Sequence, residues 1–160
     1  MGIVGKIVGG IAGVGLVAGG AAAFQDDAVR DETGVVQEAG AVGAFRIQVG
    51  DCLADPGTGL VETVDAVPCS DPHQSEAYHS FELTFLDWPG EEGLSEAAGQ
   101  GCYDQFFPFV GMTYEQSIYD FTWLEPTEAS WNEIDDREVV CFVSLYDGGD
   151  KTGSARNASQ

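Results

Sequence analysis

An uncharged, glycine-rich apolar stretch, Ile7–Phe24, stands before all 27 acidic residues and all four cysteines of this chain. Eighteen residues in a helix, rising ~1.5 Å each, cover ~27 Å, about the thickness of a hydrocarbon core. Lys6 precedes the stretch, and Asp26 and Asp27 follow it. The positive-inside rule therefore predicts a cytoplasmic N-terminus and a C-terminal domain outside the cell membrane. The stretch reads as a single-pass transmembrane anchor, with residues 3–24 in the membrane. A signal peptide is the alternative, because Ala21-Ala22-Ala23 has the small-residue pattern of a cleavage site. Glycines 5, 9 and 13, and 15 and 19, are spaced i, i+4, which lets a second membrane helix approach closely.

Beyond the stretch, the 27 acids meet only five basic residues, Arg30, Arg46, Arg137, Lys151 and Arg156, a net charge of −22. Such a surface repels nucleic acid, whose binding needs clustered Lys and Arg, and repels anionic headgroups. It also keeps an envelope domain soluble. The remaining length suits one compact domain. We divide the chain into an anchor (1–24), an acidic linker (25–43), a folded domain (44–147) and a flexible tail (148–160).

Hydrophobic period assigns the folded part. Phe45, Ile47 and Val49 alternate as a strand. Asp55–Gly59 is a turn, and a second strand, 60–69, is expected to pair back as a hairpin. Ala77, His79, Phe81, Leu83 and Phe85 share one face of a third strand, with His79 in the core. Leu94, Ala98, Cys102 and Phe106 recur every four residues, which predicts a helix over 94–107 ended by Pro108. Tyr119, Phe121 and Trp123 mark another strand. Thr127 caps a helical turn through Trp131. Val139, Cys141, Val143 and Leu145 form the core face of the last strand. The expected fold class is α+β: an antiparallel sheet with one main packed helix and two disulfides, preceded by the transmembrane helix.

Four cysteines in a translocated domain predict two disulfides. Cys52 and Cys69 lie on paired strands of one hairpin, while Cys102 and Cys141 face the same core. The expected bonds are Cys52–Cys69 and Cys102–Cys141. Zinc sites and redox centres favour close Cys-x-x-Cys pairs, which the chain lacks.

His73, with Asp71 and Glu76 nearby, is the strongest candidate for chemistry, since a histidine beside carboxylates can serve as a base or ligand. The structural reading is that Asp71 and Pro72 shape a turn and His73 packs at the start of the next strand. Arg137 beside Trp131 can stack and clamp a carboxylate. We therefore single out His73, Asp71, Arg137 and Trp131 as candidate ligand or partner contacts. Trp88, Phe107, Phe109 and Trp123 are candidate edges of a partner groove. No catalytic residue, cofactor or metal is expected.

Several signatures stand in order: Val49-Gly50-Asp51-Cys52-Leu53; Val67-Pro68-Cys69-Ser70-Asp71-Pro72-His73 followed by Glu76-Ala77-Tyr78; Cys102 with Phe106-Phe107 and Val110-Gly111; Pro126, Trp131 and Asp136-Arg137-Glu138-Val139-Val140-Cys141; and Thr152-Gly153-Ser154. The chain resembles the actinobacterial septum formation domain family over about residues 45–156. That family usually carries Trp-x-x-Gly-Asp-Arg, whereas here Trp131 stands one residue further from Asp136-Arg137 and Asp135 replaces the glycine. The resemblance implies a non-enzymatic, membrane-anchored envelope protein linked to septum formation or envelope assembly. Its expected partners are envelope or division proteins. The alternatives are an accessory subunit of a larger membrane complex and an envelope hydrolase built on His73.

Overall fold

The computed structural model describes residues 4–7, 26–57 and 60–160. The predicted anchor lies outside the described residues except at its start, as does the Ala21–Ala23 pattern. At that start the structure departs from a helix, because Val4–Ile7 forms a strand, β1. No helix among the described residues is long and apolar enough to cross a membrane.

The other elements are β2 (Val29–Arg30), β3 (Val36–Glu38), β4 (Gly40–Gly43), β5 (Cys52–Leu53), β6 (Leu60–Val61), β7 (Thr63–Val67), β8 (Ser75–Glu82), α1 (Gly90–Val110), β9 (Tyr119–Pro126), α2 (Glu128–Ile134) and β10 (Glu138–Leu145). The main sheet runs β4-β7-β5-β8-β10-β9-β1-β6, and β2 and β3 form a separate pair. From β4 to β9 every neighbouring pair is antiparallel. β1 then lies parallel to both β9 and β6, covering the backbone edge of β9. The fold is thus α+β as expected, with a parallel extension to the antiparallel sheet.

β10 is central and buried on both faces, which explains its nearly unbroken apolar run. Val139, Cys141 and Val143 pack toward α1, joined by Leu94, Ala98, Cys102 and Phe106. Val140 and Phe142 face a second core with Val36, Val42, Leu53, Val64 and Leu124. The expectation of one core face on this strand therefore covered half of the burial.

The stretch read as a linker, 25–43, is largely built into the fold. It carries β2, β3 and β4, and Val36 and Val42 are buried in the second core. β4 pairs with β7 in the register Gly40↔Ala66, Val42↔Val64. The strand expected from Phe45 to Val49 is instead a 3-10 turn, Ala44–Arg46, with Phe45 and Val49 exposed. Asp51 fixes the chain just after that turn. Its buried carboxylate accepts from the Gln48 backbone N–H at 2.8 Å and from both terminal nitrogens of Arg30, at 2.5 and 2.8 Å. Gly50 takes the positive φ of 101° that brings Asp51 round.

Three other expectations shift. α1 does not stop at Pro108 but runs to Val110, so that Phe109 and Val110 reach the core, and it ends at Gly111 with φ 80°. A proline in the last turn costs one hydrogen bond, which burial of the two residues after it offsets. A bulge in β8 opposite Cys141/Phe142 inserts Tyr78 between Ala77 and His79. Ala77 therefore packs in the second core while Tyr78 packs under α1. His79 is half-buried and stacked on Phe81 at 5.6 Å rather than enclosed in the core. α1 sits close to β8 because Gly101 faces the Phe81 ring, where any side chain would collide.

Both expected disulfides form, Cys52–Cys69 and Cys102–Cys141. Cys69 lies just past the end of β7, whose Val67 is the residue paired with Cys52. The predicted turn 55–59 holds at Asp55–Gly57, where Asp55 accepts from the Gly57 N–H at 2.8 Å; residues 58 and 59 lie outside the described residues.

Candidate functional site

His73 sits just before β8 and is fully buried. Its backbone pairs with Lys151 as an antiparallel bridge, so the tail folds back onto the sheet instead of fraying. The ring is fixed at both nitrogens. Nδ1–H donates to the Asp71 carbonyl at 2.8 Å, and Nε2 accepts from the Lys151 ammonium at 2.9 Å. Lys151 also donates to the Gly153 carbonyl at 2.6 Å and to Glu76 at 3.3 Å. Glu76 in turn accepts from the Ser154 hydroxyl at 2.5 Å and the Ala155 N–H at 2.7 Å. This buried, hydrogen-bonded ion pair fastens the tail. The donor atoms of Cys52, His73 and Glu76 lie within 4.8 Å of one another. The Cys52 sulfur is committed to Cys69, however, and a lysine cation already occupies the other two. The geometry gives His73 a structural role, with no free nitrogen for proton transfer.

Burial is the largest cause holding His73 below its ordinary pKa of 6.5, and the Lys151 ammonium acts in the same direction; the Asp71 carbonyl, Glu76 and Asp150 pull the other way. The fold therefore holds the neutral ring. A depressed folded pKa contributes stability that is present above about pH 6.5 and is lost as pH falls below it. Hydrogen exchange at the Ala155 amide is expected to speed up on acidification below that point before the central strands respond. Replacing His73 with glutamine should flatten that dependence.

Arg137 and Trp131 meet at the opposite end of β10. The guanidinium lies 3.6 Å from the centroid of the Trp131 ring and donates to the Trp131 carbonyl at 3.0 Å and the Asp136 carbonyl at 2.9 Å. It also pairs with Asp135 at 2.7 Å. Asp136 accepts from the Ser130 hydroxyl at 2.9 Å, and burial pushes its carboxyl above the usual range. α2 begins in a capping box between Thr127 and Ser130. Trp88 closes the cluster, edge-on to Trp131 at 5.5 Å. Arg137 and Trp131 thus lock α2 onto the sheet. Ser75 pairs with Ser144 near the end of β10 that lies toward His73, and Glu82 pairs with Glu138 at the end toward Arg137. About 20 Å of strand separates the two clusters, so the four candidate contacts do not form one site.

An open aromatic surface lies elsewhere, where α1, β9 and the 3-10 turn Tyr114–Gln116 meet. Tyr103, Tyr114, Phe121 and Trp123 form an aromatic groove, with Tyr114–Phe121 at 5.2 Å edge-on and Phe121–Trp123 at 6.0 Å. The groove holds about 320 Å³. Carboxylates line or flank it. Asp120 accepts from the Tyr114 hydroxyl at 2.8 Å, Glu115 accepts from the Tyr103 hydroxyl at 2.7 Å, and Asp104 lies beside Phe107 on α1. The Tyr103 hydrogen bond holds Glu115 below its ordinary pKa, and burial pushes Tyr114 up to about 12. At neutral pH the groove is therefore anionic with its phenols protonated. Phe107 stands 56% exposed in an adjoining pocket that includes Asp104 and shares Tyr103 and Tyr114 with the groove. Of the aromatics named from sequence, Trp123 lines this groove and Phe107 the adjoining pocket, whereas Phe109 is buried and Trp88 belongs to the Arg137 cluster. Tyr103, Tyr114 and Phe121 were missed as groove residues. Their only sequence signal is aromatics recurring near acids on two elements.

The frame that carries these features is the two disulfides, the His73 turn and the Trp131–Arg137 clamp, and the model of the septum formation family matches it over residues 21–141. The chain belongs to the septum formation family. Proteins bearing the name lipoprotein LppN are similar to it. The one from Mycobacterium bovis is 28% identical and the one from Mycobacterium tuberculosis 29%, each over 116 residues, covering 70% of this chain and 63% of theirs. The alignment thus spans less than two thirds of the length of these relatives. No solved structure matches the chain.

Within this septum formation domain, the departure at Asp135 has a local explanation. Asp135 ends α2 in the left-handed region, φ 58° and ψ 34°. Glycine is the residue that takes this conformation most readily, and aspartate tolerates it better than most. The changed residue keeps the helix stop and gains the Arg137 pair.

Proposed function

We propose that this septum formation domain is an extracytoplasmic, membrane-tethered, non-enzymatic binding module that serves septum formation or envelope assembly. The observation that carries the reading is one open anionic aromatic surface: the groove with Asp120 on its wall and Glu115 bonded to Tyr103, and the adjoining pocket with Asp104 and the exposed Phe107. The partner it suits is a basic segment of a division or envelope protein, whose Lys or Arg side chains would meet aromatic faces and carboxylates together. The family and the lipoprotein names of the relatives support an envelope setting. The networks at His73 and Arg137 support a binding role over a hydrolytic one, because they use these side chains to hold the fold.

The test is in-cell crosslinking of the full chain in its native membrane, with quantitative mass spectrometry of the captured proteins. The variant Asp104→Lys/Phe107→Ala changes two side chains of the pocket that adjoins the groove on the same surface. Capture of one dominant division or envelope partner should fall at least about tenfold in the variant, the effect of losing a charged and an aromatic contact together. Equal capture by wild type and variant would rule out this combined surface as the contact.

A further inference from the structure

On the sheet face opposite α1 lies a cavity of about 220 Å³, separate from the aromatic groove. Its floor is formed by Ser75, Leu124 and Phe142, which are all buried. Its mouth lies between the Asp55–Gly57 loop and Gln74 and Gly148, which are mostly exposed. Ser75 has no solvent exposure, and its Oγ has no hydrogen-bond partner. A native fold rarely buries a hydroxyl without a partner, because the group loses water and gains nothing. The register makes the burial unavoidable: Ser75 is paired with Leu53 of β5 on one side and Ser144 of β10 on the other, in the middle of the sheet.

We propose that this cavity is a binding site for an uncharged, mainly apolar group carrying one hydroxyl, of the size and chemistry of a substituted phenol. The volume sets the size, since an apolar protein cavity of about 150 Å³ already takes up benzene. The space here therefore admits a six-membered ring with a small substituent. The walls set the polarity. Leu124 and Phe142 contact the body of the ligand, and Ser75 exchanges a hydrogen bond with its hydroxyl. A charged group would meet neutral hydroxyls, those of Ser75, Thr122 and Ser144, and no countercharge on the inner walls, which is strongly unfavourable. An anion would also pass Asp55 at the mouth.

The experiment follows the backbone amide NMR shifts of Ser75, Leu124 and Phe142 in the full chain during titration with p-cresol and, separately, with toluene. Saturable shifts with p-cresol are expected. Ser75→Ala should weaken p-cresol about 2- to 12-fold while leaving toluene unchanged or tighter, the range of one net hydrogen bond. Comparing each ligand between the two proteins cancels its partition into lipid or detergent. Without ligand, Ser75→Ala should also melt roughly 2–4 °C higher, because an unpaired buried hydroxyl is removed. Ser144→Phe, which fills the cavity from its half-buried wall, should abolish both titrations. Absence of saturable shifts, or equal weakening of both ligands by Ser75→Ala, would overturn the proposal.

Discussion

Replacing Cys102 and Cys141 together with alanine is expected to destabilise the domain by about 4 kcal/mol. The bond closes a loop of sequence separation 39 and joins the inner face of α1 to the central strand β10. In the chain-entropy account, the cost grows with the logarithm of loop length. The Cys52–Cys69 bond, with a separation of 17, should therefore contribute about 3 kcal/mol. Against a typical total of about 5–15 kcal/mol, the longer bond is a large share. Alanine is the better replacement, because serine would leave two buried hydroxyls among Leu94, Phe106 and Val143. Denaturant unfolding of the oxidised wild type and both alanine pairs measures the difference. A loss below about 1 kcal/mol for the Cys102/Cys141 pair would mean that packing, without the crosslink, holds α1 in place.

The second large effect is expected at Glu76. Glu76→Gln leaves the Lys151 ammonium buried beside His73 with no carboxylate to answer it. Breaking one side of a buried pair costs about 3–5 kcal/mol, mostly the penalty of the stranded charge. The loss should appear as release of the tail, with fast exchange at the Ala155 amide, which donates to Glu76. The double variant Glu76→Leu/Lys151→Met should recover much of the loss, because neutral side chains of similar size need no partner. If Glu76→Gln melts like wild type and the double variant is the weaker protein, the ion pair is not what fastens the tail.

These two sites show how much of the fold could be read in the chain. Cys102 falls on the four-residue series Leu94, Ala98, Cys102, Phe106, and Cys141 falls on a two-residue alternation, so period alone pointed both inward. The Glu76–Lys151 contact joins residues 75 apart. Its tail end is small and polar, and local composition carries no sign of a buried partner. β10 shows a similar blind spot. Alternation reveals one face, and the second core needs the layer built by β3 and β4, hidden in a stretch that lacks strong periodicity. The bulge at Tyr78 turns a simple alternation into two faces, which is why His79 is stacked at the surface of the core and not inside it.

The candidate site was legible in its parts and not in its grouping. Arg137 over Trp131 and His73 beside Asp71 are real contacts, yet both pairs serve packing and lie at opposite ends of one strand. The groove and the pocket beside it draw Tyr103 and Phe107 from α1, Tyr114 from a 3-10 turn and Phe121 and Trp123 from β9. Only the docking of α1 across β9 brings them together. Ser75 is the extreme case: one serine in a strand gains meaning only when the structure shows it buried and unpaired.

On the proposed function, the anionic aromatic surface engages a division or envelope partner. The most direct measurement is the position of the fluorescently tagged full chain in dividing cells, wild type against Asp104→Lys/Phe107→Ala, at matched membrane abundance. Enrichment of the wild type at the septum and an even distribution of the variant around the envelope are expected. Septal enrichment that persists in the variant, or wild-type protein spread evenly through division, would contradict the proposed function.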